Sequence, residues 1–308
     1  MTMPLKEPRV SVLMTIYNAE PYLKEAIDSI VAQTFGEWEL IAIENGSSDG
    51  SRAILDSYQD ERIRCFCLPE NIGRTPALRY AFEQAGGEYI AVLDADDVSH
   101  PERFKKQVEY LDQHCKVGLV GTWAEQINAA SEVVDIFKPP ASKHELSDAL
   151  GWSNPFVHSS IMYRSIIASR VGGYPAEYIY GQDYALVLSV ERECEVAMLG
   201  EALCKWRVLA TSMTSSPKYG LIIAKELFSL GKIAGRRNFF SEASRKRSLH
   251  SQAVNQLKFG IYLLRNKDLL GGGAMVIKAI VRMPTCLIFN GYIKSLIGRK
   301  TICIGKPQ

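Results

Sequence analysis

The 308-residue chain contains no unbroken apolar run of the length a bilayer requires. Its most apolar late segment, Ala274 to Ile293, is interrupted by Lys278, Arg282 and Pro284, whereas a spanning helix needs about 20 mostly apolar residues. No transmembrane segment is expected there. Cysteine is scarce: seven residues, an odd number without regular spacing. This argues against a disulfide framework and for a reducing cytosol, and Cys65-Phe-Cys67 lies inside an apolar run that reads as a strand. Met1 to Arg9 is too polar for a signal peptide, so export by that route is not expected. Internal repeats and low-complexity linkers are absent, and a composition of 47% hydrophobic and 23% charged residues excludes disordered and fibrous classes.

Net charge is also small, +2, but it is unevenly spread. From Lys218 to the end there are 17 Lys and Arg against 3 Asp and Glu, and the preceding 217 residues hold 19 against 31. An acidic body therefore carries a basic tail, which suggests an anionic surface as a partner.

Periodicity divides the first half into alternating strands and helices. Val10 to Ile16 is a β-branched apolar run, followed by a helical pattern from Pro21 through Val31, with proline tolerated in the first turn. Strands follow at Trp38 to Ile43, Ile63 to Leu68 and Tyr89 to Leu93, with helices opening after Gly50, at Arg74 and after Pro101. Val117 to Gln126 reads as a further strand, Ser153 to Val208 as a less regular α/β portion, and the chain beyond Ser215 as helical. The alternation implies an α/β class with a doubly wound, mostly parallel sheet and a helical C-terminal extension. Residues 1–215 are expected as the catalytic domain and 216–308 as a basic helical region.

In such sheets ligands bind beyond the carboxyl ends of the strands. Three of those ends carry polar clusters: Thr15 to Asn18, Glu44 to Ser47, and Asp94-Ala95-Asp96-Asp97. Turn formation alone explains Asn18 and Ser47. It explains three aspartates in four positions poorly, because their repulsion costs stability unless a cation shares the site. Hard carboxylate oxygens on a turn, completed by a substrate's phosphates, suit Mg²⁺ or Mn²⁺. Tyr17 can offer a nucleobase its ring or simply pack at the sheet edge, and Asn45 can accept a hydrogen bond from a base imino group. Arg74 and Arg79 lie near the start of a helix where guanidinium groups can reach phosphate, a solvated face being the alternative. Asp183 is either an ordinary helix N-terminal carboxylate or a general base.

The series Val10-Ser-Val-Leu-Met-Thr-Ile-Tyr-Asn18, Gln33-Thr34, Gly46-Ser-Ser-Asp-Gly50, Asn71-Ile72-Gly73 and Asp94-Ala95-Asp96-Asp97 resembles family 2 glycosyltransferases of the GT-A fold. Asn154-Pro155, His158-Ser159, Gly172-Gly173-Tyr174, Gln182-Asp183 and Trp206-Arg207 continue the resemblance in the family's order, over residues 8 to about 215. It implies inverting transfer of a sugar from a nucleotide-diphosphate donor, with UDP the expected nucleotide. Thr15, Tyr17 and Asn45 would line the base pocket, Asp94 would lie toward ribose and metal, Asp96 would bind the metal, and Asp183 would be the base. Glu44, Asp97, Gln182 and Arg207 fall on flanking positions of the same motifs. Two departures stand out: Glu44-Asn45 replaces the usual Asp-Asp, and Arg207-Val208-Leu209 lacks the usual histidine. His158 can reach the site instead or satisfy core hydrogen bonds.

The resemblance also implies a glycan or lipid-linked acceptor in surface-polysaccharide synthesis. That agrees with a basic tail lying on the inner face of an anionic membrane and a cytoplasmic body. Nucleic acid is not expected as a partner, since Arg236-Arg237 and Arg245-Lys246-Arg247 lack interleaved aromatics. A nucleotidyltransferase using the same sheet and aspartates, or a catalytically silent nucleotide-sugar-binding protein, are the alternatives.

Overall fold

In a computed structural model of the chain, the structure describes residues 7–209, 219–236, 238–265 and 268–282. The parallel half of the sheet is built from β1 (Val10–Ile16), β2 (Trp38–Asn45), β3 (Ile63–Leu68) and β4 (Tyr89–Val92), in the order β3-β2-β1-β4. Between them run α1 (Glu20–Val31), α2 (Ser51–Asp56) and α3 (Arg74–Gln84). β1, β2 and β4 are covered on both faces, which is why they read as continuous apolar runs rather than alternating ones. β3 lies at the edge, and Cys65 and Cys67 within it are exposed free thiols rather than core residues.

Beyond β4 the sheet becomes mixed. β5 (Val98–Ser99), α4 (Arg103–Gln113), β6 (Val117–Ile127), β7 (Val133–Phe137) and α5 (Lys143–Ala149) follow in the chain. A 3-10 turn at His158–Ser160 then leads into β8 (Met162–Arg164), α6 (Ser165–Val171), α7 (Gln182–Glu193) and β9 (Glu195–Arg207). β8 runs antiparallel to both β4 and β6, and so joins the two halves, while the long β9 runs parallel to β6. Two apolar cores flank the sheet. One packs Leu23, Ile27 and Ile30 of α1 with Phe104, Val108 and Leu111 of α4, each set at helical spacing. The other gathers Ala77, Leu78 and Ala81 of α3 with Leu186, Val187 and Val190 of α7.

α8 (Gly220–Ala234), α9 (Glu242–Arg265) and α10 (Leu269–Arg282) form the helical region, as expected from the sequence. Leu230 and Ala234 of α8 belong to the second core, together with α3 and α7 residues. The expected boundary at 215/216 therefore separates elements that share one core. Ala253, Leu257 and Ala279 make a small satellite core between α9 and α10. Among the described residues no helix is long and apolar enough to cross a membrane. Ser215, Arg237 and the part of the basic tail from 283 to 308 lie outside the described residues.

Candidate active site

The carboxyl ends of β1, β2 and β4 meet along one edge, and two loops fix its shape. Asn18, held in the left-handed region at φ 50°, accepts the Ser48 N–H at 2.9 Å on its side-chain oxygen, and its own N–H donates to Ser47 Oγ at 3.1 Å. Gly46, at φ 71°, lies so close to the backbone of Glu70 and Asn71 that an added Cβ would come within 2.5 Å of Glu70 C. Glu44 accepts the Ser47 N–H at 2.7 Å and so closes the same turn. Asn45 is committed to the facing loop: its amide oxygen accepts the Ile72 N–H at 3.0 Å, and its nitrogen donates to Asn71 Oδ1 and the Gly73 carbonyl. Beyond β1, the half-buried Thr15 is followed by Tyr17, 52% exposed.

Asp94, Asp96 and Asp97 follow β4 with carboxylate oxygens within 4.8 Å of one another, a group able to hold a metal ion. Arg74 Nη2 lies 2.6 and 2.7 Å from the two Asp94 oxygens. His158 Nδ1 lies 3.0 Å from the same nitrogen and 3.4 Å from Asp94 Oδ1, and its Nε2 is 2.9 Å from the Tyr174 hydroxyl. Burial acts to raise the Asp94 pKa, but the charge of Arg74 and the contact with His158 outweigh it and hold that carboxyl well below its usual range. Burial acts to lower the Arg74 pKa, but Asp94, with smaller contributions from Asp183 and Asp96, outweighs burial and raises it.

Asp97 has a different environment. It accepts the Arg207 backbone N–H at 2.8 Å on one oxygen and the Ser159 hydroxyl on the other, while Ser159 Oγ accepts the Asp94 N–H at 3.0 Å. Burial, then the charges of Asp96 and Asp94, push its carboxyl well above the usual range. Asp97 is thus a tie between β4, the 3-10 turn and β9. Asp96 remains: burial and the Asp94 charge push its carboxyl up to about 6, and among the described residues no side-chain donor is bonded to it.

At the start of α7, the Asp183 carboxylate accepts a hydrogen bond from Asn154 Nδ2 at 2.9 Å. Asn154 orients its own loop by accepting the Phe156 N–H at 3.1 Å. Gln182 is buried, and in the amide orientation that satisfies both ends its nitrogen donates to the Ile179 and Tyr180 carbonyls at 2.9 and 3.1 Å.

Arg79, expected near phosphate, and Arg207, a flanking motif position, are both bonded to protein groups. Arg79 donates to the Tyr174 carbonyl at 2.7 Å and the Gly172 carbonyl at 3.4 Å, so it anchors the segment before α7. Arg207 is 2% exposed: its guanidinium donates to the Asp96 and Asn128 carbonyls, Ser131 Oγ and Glu25 Oε2, and lies 4.3 Å over the Tyr22 ring. Gln182 and Glu44 likewise serve turns, and the Asn45 amide already carries three loop contacts. Conversely, Asn154, Ser159 and Tyr174 stand in motifs noticed in the sequence, but their partners lie 29, 62 and 16 residues away. No local pattern announces such pairings.

The model of the family described as Glycosyl transferase family 2 matches residues 11–168. The chain belongs to this family. An O-antigen biosynthesis glycosyltransferase, WbnJ, of Escherichia coli is 32% identical over 206 residues, which cover 65% of this chain and 79% of the relative. Residues 1–349 of TarS from S. aureus, solved in complex with UDP-GlcNAc, superpose with a TM-score of 0.64 at 17% identity, covering 90% of this chain and 81% of that one. The mannosyltransferase PcManGT of Pyrobaculum calidifontis, solved with GDP-Man and Mn²⁺, gives 0.59 at 18% identity, covering 92% and 76%. The likeness establishes the GT-A fold, and family membership makes this family 2 chain a glycosyltransferase. The nucleotidyltransferase alternative falls with it.

The Arg207 contacts yield a prediction. Arg207→Met should destabilise the family 2 enzyme by about 2 kcal/mol, because it strips the Asp96 and Asn128 carbonyls of their donor, and leave donor affinity of the folded protein within about threefold. Denaturant unfolding and calorimetry read the two effects. A large loss of donor affinity at unchanged stability would instead assign the guanidinium to donor binding.

Proposed function

We propose that this glycosyltransferase moves a sugar from a UDP-sugar to an acceptor hydroxyl with inversion, Asp183 serving as the general base. A divalent cation, Mn²⁺ or Mg²⁺, would be held by Asp96 with Asp94. The observation that carries the reading is the unequal treatment of the acidic triplet: Asp94 and Asp97 have protein partners, whereas Asp96 shares their crowding with none of their side-chain donors. When bound, the cation would neutralise charge on the leaving diphosphate. Hard oxygen donors within 4.8 Å fit such an ion, and the Mn²⁺ in the PcManGT structure supports it.

The chain's own residues supply the rest. Tyr17, half exposed beyond β1, offers its ring to the nucleobase, with Thr15 beside it, and the loop that Asn45 holds closes the pocket's edge. UDP as the nucleotide finds support in the TarS complex with UDP-GlcNAc. Asn154 directs one Asp183 oxygen and leaves the other to take the acceptor's proton as its oxygen attacks the anomeric carbon and the diphosphate departs. Arg74 stays on Asp94 and adds positive charge beside the same group.

Asp96→Ala should remove the Mn²⁺ dependence of donor binding, with Asp94→Ala weakening it less. Titration calorimetry showing unchanged donor affinity and metal response in the Asp96 variant would refute the metal assignment. Asp183→Asn should leave donor affinity nearly intact and lower turnover by roughly 10²–10⁴, the usual worth of a positioned base. Turnover within a few-fold of the wild type, or retention of anomeric configuration by NMR of the product, would contradict a single displacement at this carboxylate.

The acceptor we propose is a growing surface glycan, lipid-linked at the cytoplasmic face of the membrane; the O-antigen relative supports this class. Arg236, Arg245, Lys246 and Arg247 are exposed, and α10 presents Leu270, Ile277 and Val281 at 89%, 64% and 76% exposure, a basic and apolar combination that suits an anionic bilayer. The full chain should bind phosphatidylglycerol vesicles at low salt and less well as the Debye length falls from about 10 Å at 0.1 M to about 3 Å at 1 M. Reversing those four charges should abolish the salt-sensitive part; equal binding by the reversed form would end the membrane role.

A further inference from the structure

The turn that delivers Asp183 is closed by a residue from the C-terminal helical region. Glu226 of α8, 6% exposed, accepts three consecutive backbone N–H groups: Ile179 at 2.8 Å on one carboxylate oxygen, Tyr180 and Gly181 at 2.9 Å each on the other. These donors immediately precede the first residues of α7, Gln182 and Asp183. Successive N–H groups converging on one point form a concave site for an anion, and here the chain fills it with its own carboxylate.

The remaining polar groups of the turn are also claimed. Thr75 Oγ1 of α3 donates to the Tyr178 carbonyl at 2.7 Å, and the Gln182 amide serves the Ile179 and Tyr180 carbonyls. Gly181 allows the close approach of α8: a Cβ there would lie 2.6 Å from Leu230 Cδ1. Each peptide from 178 to 181 is thus held from α3, from α8 or from the start of α7. Asp183 follows with its carboxylate on Asn154.

We propose that Glu226 is a positioning residue for the general base, fixing the turn before α7 so that the Asp183 carboxylate meets the acceptor hydroxyl at the required place. This rests on the reading of Asp183 as the base. It gives the helical region a part in the chemistry, because a carboxylate on α8, within the basic extension, holds a loop of the sheet domain. Donor binding is built from other elements, chiefly the ends of β1, β2 and β4, so it should not depend on Glu226.

The test uses the full chain and the nucleotide sugar giving the largest thermal shift in a UDP- and GDP-sugar panel with Mn²⁺, with turnover read as nucleoside diphosphate release. Glu226→Ala should lower kcat by about tenfold to a hundredfold, the scale set by a roughly 1 Å displacement of a catalytic group, while donor affinity stays within about threefold. Formate or acetate, fitting the vacated N–H groups, should restore part of the lost kcat. Glu226→Gln, nearly isosteric, should show the same split without rescue, and keeps the test decisive if the alanine variant does not fold. In an Asp183→Asn background either change should cost no further turnover. Wild-type turnover in the Glu226 variants, or donor affinity falling in step with kcat, overturns the proposal. An inactive Asp183→Asn enzyme beside a fully active Glu226→Gln enzyme defeats positioning alone, whereas a fully active Asp183→Asn enzyme defeats both it and the base assignment.

Discussion

Three carboxylates within 4.8 Å of one another at the end of β4 are the constraint around which the rest of this structure is organised. Two unit charges about 4 Å apart interact by roughly 4 kcal/mol at an effective dielectric of 20, so each aspartate needs its own solution. Asp94 has a guanidinium and an imidazole, Asp97 has a hydroxyl and a backbone N–H, and Asp96 has no side-chain donor among the described residues. Each solution recruits a distant element. Arg74 brings the start of α3, His158 and Ser159 bring the 3-10 turn, and the Arg207 backbone brings the end of β9. The acidic cluster is therefore the point where the parallel half of the sheet is joined to the mixed half.

α3 links that cluster to the proposed base. Arg74 holds Asp94, Thr75 holds the Tyr178 carbonyl and Arg79 holds the Tyr174 carbonyl, so a single helix ties the acidic cluster to the segment leading to Asp183. Burying an arginine is costly unless its donors are matched, and the buried Arg207 matches two of its donors to backbone carbonyls. Arg79 secures the Tyr174 segment. Arg207 reaches the Asp96 and Asn128 carbonyls and closes β9 onto the cluster. α8 of the helical region then shares a core with α3 and α7 through Leu230 and Ala234.

Much of this was legible in the sequence, for identifiable reasons. β1 to β4 and their helices announce themselves by period and by glycine and proline punctuation, and the polar clusters read from the motifs do lie together at strand ends. Family motifs supplied Asp94, Asp96 and Asp183 together. Side-chain pairing was not legible: Arg74 meets Asp94 across 20 residues, Asn45 meets Asn71 across 26, and Asp97 meets the Arg207 N–H across 110. Asn45, Arg79 and Arg207 each have a residue type suited to a nucleotide, and only their partners show them working as braces. The β6–β7 hairpin was likewise missed, because Val133–Phe137 is a short, largely exposed edge strand without a buried face to set a strong alternating signal.

The most direct measurement of the central claim is anomalous diffraction from crystals of the full chain grown with UDP and Mn²⁺. The expected result is one manganese peak at the Asp96 carboxylate, with Asp97 still on Ser159 and the Arg207 N–H. A diphosphate bound without a manganese peak, or a peak seated on carboxylates other than Asp96, would contradict it.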